Sequence, residues 1–514
     1  MKRHIMLGFL PVLLGMASCS GFLEETPLSN VTDKNYYQTE SDAEGAVNAI
    51  YETVAIGSVA QWQGTGNANT PYGGVFFNVY YLAQDLMSDN ALYDLWTYAN
   101  LGTLSVDETD GNIKTLWYAF YRAVNTANVA IKKIPAIDMN VDRRNHLVAE
   151  ARFWRGLLYG ELAKMWGDVP LRKEPTEGVD ELFSVTRENR VNVLNFALED
   201  LKYAEENLID NYRSGYGRAT STMATAVYAK IAMVKAAVSG EAEDWQKVAD
   251  AAGRVIESHE YDLYPSFSDN FVIANKHGKE DVLSINYIKT SDLWGSQFNV
   301  SLLPAVIRQN SPGGDEGPIN ANSWVIPTAD LYNSFEEGDT RRDVSIMSSY
   351  TYSDNSVLTF EGTAKYPYYF NKYWDRVQEP VGMNSDQNYP YMRYSEVLLL
   401  YAEALNEIGT TPDSKAYDAL NKVRDRAFKD NGSGAHNLSG LTKDAFRKAV
   451  LDERRHEFVM EGSRWFDLVR MDPNFVQTIK AVKPDSYVAE KHKLFPIPQY
   501  DRLLNGEVTQ NPGY

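Results

Sequence analysis

The sequence predicts a mostly α-helical protein, in which helical hairpins of the tetratricopeptide type form a scaffold and a loop-rich insertion with short strands packs on it. Three observations lead to this fold class. Apolar residues recur at helical spacing over long segments, the helices come in pairs joined by short turns, and residues 266–392 break the pattern with many Gly, Pro, Asn and aromatic residues. Of the 514 residues, 44% are hydrophobic and 23% are charged, which is typical of a folded protein.

Apolar periodicity predicts four main helices. The first covers residues 145–165 and ends near Gly167, and the second covers residues 223–238 and ends near Gly240. Two further helices, at residues 401–408 and 420–427, should pair with each other. The apolar faces of the first two helices are formed by Leu147, Ala151, Trp154, Leu158 and Leu162, and by Met223, Val227, Ile231, Val234 and Val238.

Two segments interrupt the helical pattern. A helix begins at Glu40, with Ser41 or Asp42 available as its N-cap, but residues 54–98 show no sustained helical period and are rich in Gly, Asn, Gln and aromatic residues. Residues 266–392 form the second such segment. Loops of this length are usually functional or disordered, and the many aromatic residues argue against disorder.

The first twenty residues predict export and lipidation. Lys2 and Arg3 precede an apolar run that is too short to cross a bilayer, and small residues then lead into Cys19. This is typical of a bacterial lipobox, in which residues 1–18 are removed and Cys19 receives the lipid. The alternative is an ordinary signal peptide followed by an incidental Cys. Cys19 is the only Cys, so no intramolecular disulfide can form, and residues 19–39 are predicted to be a lipidated tether.

The net charge of -19 excludes two classes of partner. A body this acidic repels nucleic acid and anionic lipid surfaces through its general field, so no nucleic-acid partner is expected. No segment after the signal is apolar enough to span a membrane. Contact with the membrane is therefore expected only through the lipid anchor.

The sequence lacks the common catalytic and metal-binding motifs. It has no G-x-S-x-G elbow, no phosphate loop and no H-E-x-x-H pair, and His456 lacks a second His at helical spacing. Asp107 and Asp110 offer oxygen atoms for calcium, but a solvated acidic turn is favoured because the ligands are too few. Among 69 Asp and Glu residues a glycosidase pair cannot be ranked. We predict no catalytic residue, no cofactor and no metal.

The densest charge cluster lies near the C-terminus. Glu453, Glu457 and Glu461 lie one turn apart on one predicted helix face, a like-charge stripe that costs stability unless cations pair with it. Arg454, Arg455 and Arg464 are near in sequence and are the predicted partners. A structural ion-pair network is favoured over a catalytic group, because Arg holds carboxylates in fixed geometry.

Six segments in order resemble the SusD/RagB family of Bacteroidetes outer-membrane lipoproteins, the starch-utilisation-system D-like nutrient-binding proteins. The resemblance spans essentially the whole chain. Its segments are the lipobox before FLEETP, YYQTESDAEGAVNAIY at 36–51, AEARFWRGLLYGELAKMWGDVPL at 149–171, MRYSEVLLLYAEALNE at 392–407, ERRHEFVMEGSRWFDLVR at 453–470 and LFPIPQYDRLLNGEVTQNPGY at 494–514.

The resemblance implies a fold and a function. It implies a SusD-like α/α superhelix whose helical scaffold covers about residues 40–54, 112–265 and 393–514, with ligand-face loops at about 55–111 and 266–392. It also implies a lipid-anchored outer-membrane protein facing the cell surface, which captures oligosaccharide and delivers it to a partner TonB-dependent transporter of the SusC type. Peptide binding on the same scaffold, and a surface glycoside hydrolase, remain as alternatives.

Candidate ligand residues are aromatic platforms flanked by polar groups, because sugars stack their C–H faces on rings and bond their hydroxyls at the edge. The leading set, on the two implied ligand-face segments, is Trp96, Asn100, Trp294 and Trp324. Tyr98, Trp62 and Arg308 are further candidates. For any single Trp, packing beneath a loop is as good an explanation as ligand contact. Trp154, Trp166, Trp374 and Trp465 are assigned to packing.

Overall fold

The structure is a computed structural model that describes residues 36–56, 73–178, 185–209, 217–289, 295–376, 385–430 and 432–514. The predicted signal peptide, most of the predicted tether with Cys19, and the candidates Trp62 and Trp294 lie outside the described residues. The predicted fold class is confirmed, because about 54% of the described residues are helical and their strands are few and short. In the described ranges no helix combines the length and the apolar character needed to cross a membrane.

The helices differ widely in length. In chain order they are α1 (Glu40–Ala55), α2 (Val79–Leu86), α3 (Ala99–Thr103), α4 (Gly111–Lys133), α5 (Val141–Trp166), α6 (Arg190–Asn207), α7 (Ser221–Ser239), α8 (Ala242–Glu257), α9 (Phe298–Leu302), α10 (Ala305–Gln309), α11 (Ala329–Ser334), α12 (Arg341–Ser345), α13 (Tyr394–Ile408), α14 (Ser414–Phe428), α15 (Lys443–Glu457), α16 (Arg464–Met471), α17 (Phe475–Val482) and α18 (Gln499–Leu504). All four helices predicted from periodicity are present, as parts of α5, α7, α13 and α14.

The strands are short and pair only two by two. They are β1 (Ala91–Tyr93), β2 (Val169–Pro170), β3 (Arg187–Glu188), β4 (Asp281–Ile285), β5 (Val325–Pro327), β6 (Ile346–Met347), β7 (Ser349–Thr351), β8 (Val357–Thr359), β9 (Tyr369–Phe370) and β10 (Tyr389–Arg393). The pairs β1–β5, β2–β3, β4–β10, β6–β9 and β7–β8 are all antiparallel. Most of these strands lie in the predicted insertion, where they order long connections without forming a large sheet.

The long helices pack as a continuous array. α1 lies on α4, α4 on α5, α5 on α6, α6 on α7 and α7 on α8. After the insertion, α13 packs on α8 and on α14, so the array resumes where it was interrupted. One large apolar core runs through these helices, and a smaller cluster around Ile307, Ile326 and Phe360 stabilises the insertion.

Small residues on α5 let its neighbours approach closely. A Cβ placed on Gly156 would lie 2.7 Å from the carbonyl oxygen of Ala197 on α6. A Cβ on Gly160 would lie 2.5 Å from the side chain of Ile231 on α7. Gly156 and Gly160 are therefore the contact points of three helices, α5, α6 and α7.

We expect Gly156→Ala to lower the free energy of unfolding by about 1–3 kcal/mol, because the added methyl group meets fixed backbone rather than a movable side chain. Gly111→Ala in the first turn of α4 is the matched control, since a Cβ there meets nothing within 4 Å. It should be neutral or slightly stabilising. Urea unfolding followed by circular dichroism measures both, and an unchanged midpoint for Gly156→Ala would contradict the close-packed α5–α6 contact.

Two local predictions differ from the structure. The helix predicted from Glu40 does begin there, but its N-cap is Thr39, whose side chain and that of Asp42 form a reciprocal capping box. The segment 54–98 also contains α2, for which no helical period was expected. Seven of its eight residues are buried, and a helix of eight residues is too short to show a sustained helical period in the sequence.

The Trp residues assigned to packing are largely inside. Trp154, Trp166 and Trp465 are fully buried in the main core. Trp374 is only half-buried, and its ring stacks on Tyr350 with the Arg376 guanidinium 4.5 Å from its centroid.

Candidate ligand site

The β1–β5 pair brings together residues from the two predicted ligand-face segments. Leu92 lies opposite Ile326 in this ladder. Beyond the last pair, the backbone N–H groups of Asp94 and Leu95 donate to the carbonyl oxygen of Trp324, at 2.8 and 3.2 Å. Trp324 is thereby fixed beside the turn that carries Trp96 and Tyr98.

The three aromatic candidates on this ladder have different exposures. Trp96 opens a single 3-10 turn, and 79% of its surface is exposed. Tyr98 is buried, and Trp324 is half-buried, with the two ring centroids 6.3 Å apart. Because the neighbouring turn is held by backbone bonds, Trp96 presents an open aromatic face from a fixed position.

A charged group that sequence reasoning missed lies two residues before Trp96. Asp94 Oδ1 accepts a hydrogen bond from the Tyr366 hydroxyl at 2.6 Å and also pairs with the Lys365 ammonium. Lys365 remains largely exposed, and its bond to Asp94 raises its pKa. The site therefore offers an acceptor, a cation and a phenol next to the exposed ring. Lys365 and Tyr366 are about half the chain away from Asp94, so no local pattern could have connected them.

Two further candidates make bonds within the fold. The Asn100 amide donates to Asp110 Oδ2 at 3.1 Å, and its Oδ1 accepts from the Ser105 hydroxyl. Arg308 Nη1 donates to the carbonyl oxygens of Asp315 and Gly317 and so holds the loop between them. Tyr98 and Trp324 are thus ring neighbours and Trp96 lies on the same turn as Tyr98, and we call these three residues the cluster around Trp96. Asn100 and Arg308 instead have local structural bonds.

Comparison with known proteins identifies the family. The family model described as "SusD family" matches residues 320–514, and the model described as "Starch-binding associating with outer membrane" matches residues 32–234. The chain belongs to the SusD/RagB family. SusD-like protein P2 of Formosa agariphila is 28% identical over the full length of both chains.

Solved structures share the SusD/RagB fold. A SusD homolog from Bacteroides thetaiotaomicron superposes with a TM-score of 0.78 and 23% identity, covering 94% of this chain and 99% of that one. A laminarin-binding SusD-like protein superposes with a TM-score of 0.74 and 23% identity, covering 93% of this chain and 100% of that one.

In this SusD/RagB chain the β1–β5 ladder is tied to the helical scaffold. Asp89, just before β1, accepts two hydrogen bonds from the Arg464 guanidinium, each 2.8 Å long. Its backbone carbonyl accepts from the Thr328 hydroxyl at 2.7 Å, just beyond β5. Burial alone would raise the pKa of Asp89, but Arg464 and then Arg455 hold it well below the ordinary value. The buried residue Asp89 therefore joins the two strands to the scaffold, since its carboxylate bonds to Arg464 and its backbone carbonyl bonds to Thr328.

The predicted structural ion-pair network is present, but its predicted partners were wrong. Arg454 pairs with Glu396 and Asp467, and Arg464 pairs with Asp89. The three glutamates are instead paired with cations from other elements of the scaffold and from the insertion. Glu453 pairs with Arg341 and Arg424, Glu457 with Arg341, Arg393 and Arg426, and Glu461 with Lys372 and Arg393. The network joins the insertion to α14 and α15.

The acidic turn considered for calcium acts as a helix start. Asp110 Oδ1 accepts from the backbone N–H groups of Asn112 and Ile113 and so caps α4. Asp107 Oδ1 accepts from the N–H and hydroxyl of Thr109. Over the described parts of the chain, no three His, Cys, Asp or Glu side chains are grouped to hold a metal ion.

Proposed function

We propose that this SusD/RagB protein is a lipid-anchored, cell-surface glycan-binding protein of the outer membrane that captures oligosaccharide without cleaving it. It delivers the bound sugar to a TonB-dependent transporter of the SusC type. Cys19 is the proposed lipid attachment site. The ligand face is formed by the segments at about 55–111 and 266–392, which contribute Trp96 and Trp324 respectively.

The observation that carries this proposal is the cluster around Trp96. An aromatic ring that is 79% exposed and held in a fixed turn costs little conformational entropy when a sugar ring stacks on it. Asp94, Lys365 and Tyr366 provide an acceptor and donors for hydroxyl groups at the edge of that ring. This combination suits a neutral, polyhydroxylated ligand better than an apolar one.

The relatives support the same ligand class. One structural neighbour is described as a laminarin-binding SusD-like protein and another as a surface glycan-binding protein. The second family model is described by starch binding and association with the outer membrane. The transporter partner and the anchor come from the family resemblance and from the lipobox around Cys19.

The proposal is tested with the soluble body, residues 20–514, on a glycan array followed by titration calorimetry with laminarihexaose, maltohexaose, xylohexaose and sialyllactose. Trp96→Ala should weaken binding about tenfold or more, because a lost stacking contact and its buried area are worth roughly 1.4 kcal/mol or more. Lys365→Ala should weaken it less, since the ammonium is exposed.

Leu503→Ala is the matched control, because Leu503 is a large apolar side chain that is 75% exposed, close to the exposure of Trp96. It should leave the Trp96-dependent binding unchanged. A sugar affinity that is unchanged in Trp96→Ala would contradict the assigned site. Binding of peptides but of no sugar would support the peptide alternative, and new reducing ends on incubation would show hydrolysis.

A further inference from the structure

A second aromatic cavity, of about 320 Å³, lies between α4 and the C-terminal helix α18. The rings of Tyr118, Tyr121 and Tyr500 line it, together with Trp117. Trp117 is fully buried, whereas Tyr500 is 58% exposed. No residue of the cluster around Trp96 lines this cavity, so it is a separate place on the molecule.

A carboxyl and a phenol face one another in the same cavity. Asp501 Oδ2 and the Tyr118 hydroxyl are both buried from solvent. Burial raises the pKa of Asp501, and hydrogen bonding from the Trp117 and Tyr118 side chains opposes that rise. Because each carboxylate oxygen has two lone pairs, Asp501 can accept a further hydrogen bond from a ligand.

Arg172 is a charged neighbour of Asp501 in this cavity. Its charge lowers the Asp501 pKa, yet within the described ranges no carboxylate oxygen lies within 4.0 Å of its guanidinium. The backbone of Arg172, in contrast, is fixed, because its N–H and its carbonyl both bond to the Tyr159 hydroxyl at 2.7 Å. The Asp501 carboxyl and the Arg172 guanidinium therefore line the same aromatic cavity without forming an ion pair with each other.

We propose that this cavity is a second carbohydrate-binding site, which takes one pyranose residue with adjacent free hydroxyls. One hydroxyl bonds to Asp501 and its neighbour to Arg172, so the ligand bridges the gap that the two side chains leave open. Tyr500 packs against the C–H face of the sugar. The proposal relies on the proposed function only for the ligand class, and its residues are independent of those around Trp96.

The size and charge of the cavity favour a sugar over other occupants. A volume of about 320 Å³ is at the lower end of the range for small-molecule pockets and holds one or two sugar rings. Asp501 offsets the charge of Arg172, and Glu52 interacts with the second guanidinium that lines the cavity, that of Arg122, so a neutral ligand is favoured over an ion. The partly exposed Tyr500 leaves room for the rest of an oligosaccharide to extend outwards.

Titration of laminarihexaose, maltohexaose, xylohexaose and sialyllactose into the soluble body tests this proposal. Calorimetry gives the stoichiometry, and Trp fluorescence reports on Trp117 at the cavity wall. For at least one of the four sugars, wild-type protein should bind at two sites, and Tyr500→Ala and Arg172→Ala should each weaken one of them about tenfold. Neither side chain makes a hydrogen bond or an ion pair within the described part of the chain, so the variants should keep the wild-type unfolding midpoint.

Two controls separate this site from the one around Trp96. Leu503→Ala changes an exposed apolar residue on the same helix that does not line the cavity, and it should have no effect. Trp96→Ala should remove the first site and keep the second.

The outcomes distinguish the two proposals. If Trp96→Ala removed all binding, the result would contradict the second site but would agree with the proposed function. If binding depended on Tyr500 and Arg172 but not on Trp96, the second site would stand and the first would not. Four sugars that bind nowhere would overturn both.

Discussion

Glu457→Gln is expected to lower the free energy of unfolding by about 3–5 kcal/mol, because the substitution removes a buried charge that three guanidinium groups share. Glu457 has no exposed surface. Its Oε1 accepts from Arg426 at 2.6 Å and from Arg393 at 2.7 Å, and its Oε2 accepts from Arg341 at 3.1 Å. The amide keeps the shape of the side chain but leaves those cations with less counter-charge in a site without water to screen them.

Asp452→Asn is the control for this prediction. Asp452 lies on the same helix, α15, and pairs with Lys448, but both side chains are largely exposed. Exposed pairs contribute little, so this variant should stay within about 0.5 kcal/mol of wild type. Urea unfolding at neutral pH compares the two. Equal effects of the two substitutions would show that the buried network does not hold the insertion on the scaffold.

The same carboxylate predicts how stability changes in acid. Burial alone would raise the pKa of Glu457, but Arg426, Arg393 and Arg341 hold it well below the ordinary value of 4.5. A carboxyl whose pKa is lower in the folded state contributes all of its stability above its unfolded pKa, and this is lost as the pH falls through the folded value. Asp467, whose pKa falls to about 2 despite its burial because Arg454 and Arg470 pair with it, acts in the same direction.

We therefore expect the wild-type free energy of unfolding to decrease between about pH 5 and about pH 3, and to decrease less in Glu457→Gln, which has one fewer carboxyl to titrate. Urea unfolding at several pH values measures both slopes. The Asp452→Asn control should follow the wild-type curve. Parallel curves for wild type and Glu457→Gln would contradict the lowered pKa of Glu457.

The sequence predicts the scaffold well because its helices are long, repeat apolar residues at helical spacing and end at identifiable stops. The helix that contains residues 145–165 was visible from its apolar repeat and from Gly167, which has a positive φ. α2 was not visible, because its eight residues are too few to show a sustained helical period. Only the acidic stripe of the ion-pair network, on α15, was visible in the sequence. Its partners could not be assigned, because the cations come from positions as distant as Arg341.

The candidate site was likewise only partly predictable from the sequence. Exposed aromatic residues beside polar ones can be seen in a local stretch, and this pattern pointed to Trp96, Tyr98 and Trp324. Their proximity depends on the β1–β5 register, which joins segments more than two hundred residues apart. Asp94 paired with Lys365 and Tyr366 could not be found because each is unremarkable in its own stretch. The cavity beside Tyr500 is likewise produced by the return of the C-terminal helix onto α4.

Asp89→Ala is expected to cost about 3–5 kcal/mol of stability, since it leaves the buried Arg464 guanidinium without its carboxylate. It should also weaken sugar binding at the cluster around Trp96, because without the pair to Arg464 the backbone of residue 89, which accepts from the Thr328 hydroxyl, is no longer held to the scaffold. Binding at the cavity beside Tyr500 should not change, as that cavity lies on α4 and α18. Thermal unfolding and oligosaccharide titration of one preparation measure both effects.

Asp330→Asn is the control for this last prediction, because Asp330 also pairs with Arg455 but is half exposed. Its effect on stability should be below about 1 kcal/mol, with sugar binding unchanged. If Asp89→Ala unfolds the protein, Asp89→Asn keeps the shape and one hydrogen-bond acceptor and should give a smaller loss in the same direction. A variant that loses stability but binds sugar at the Trp96 cluster as wild type does would show that β1 and β5 hold the site without their anchor in the scaffold. The combined loss would show instead that the scaffold network positions the ligand face.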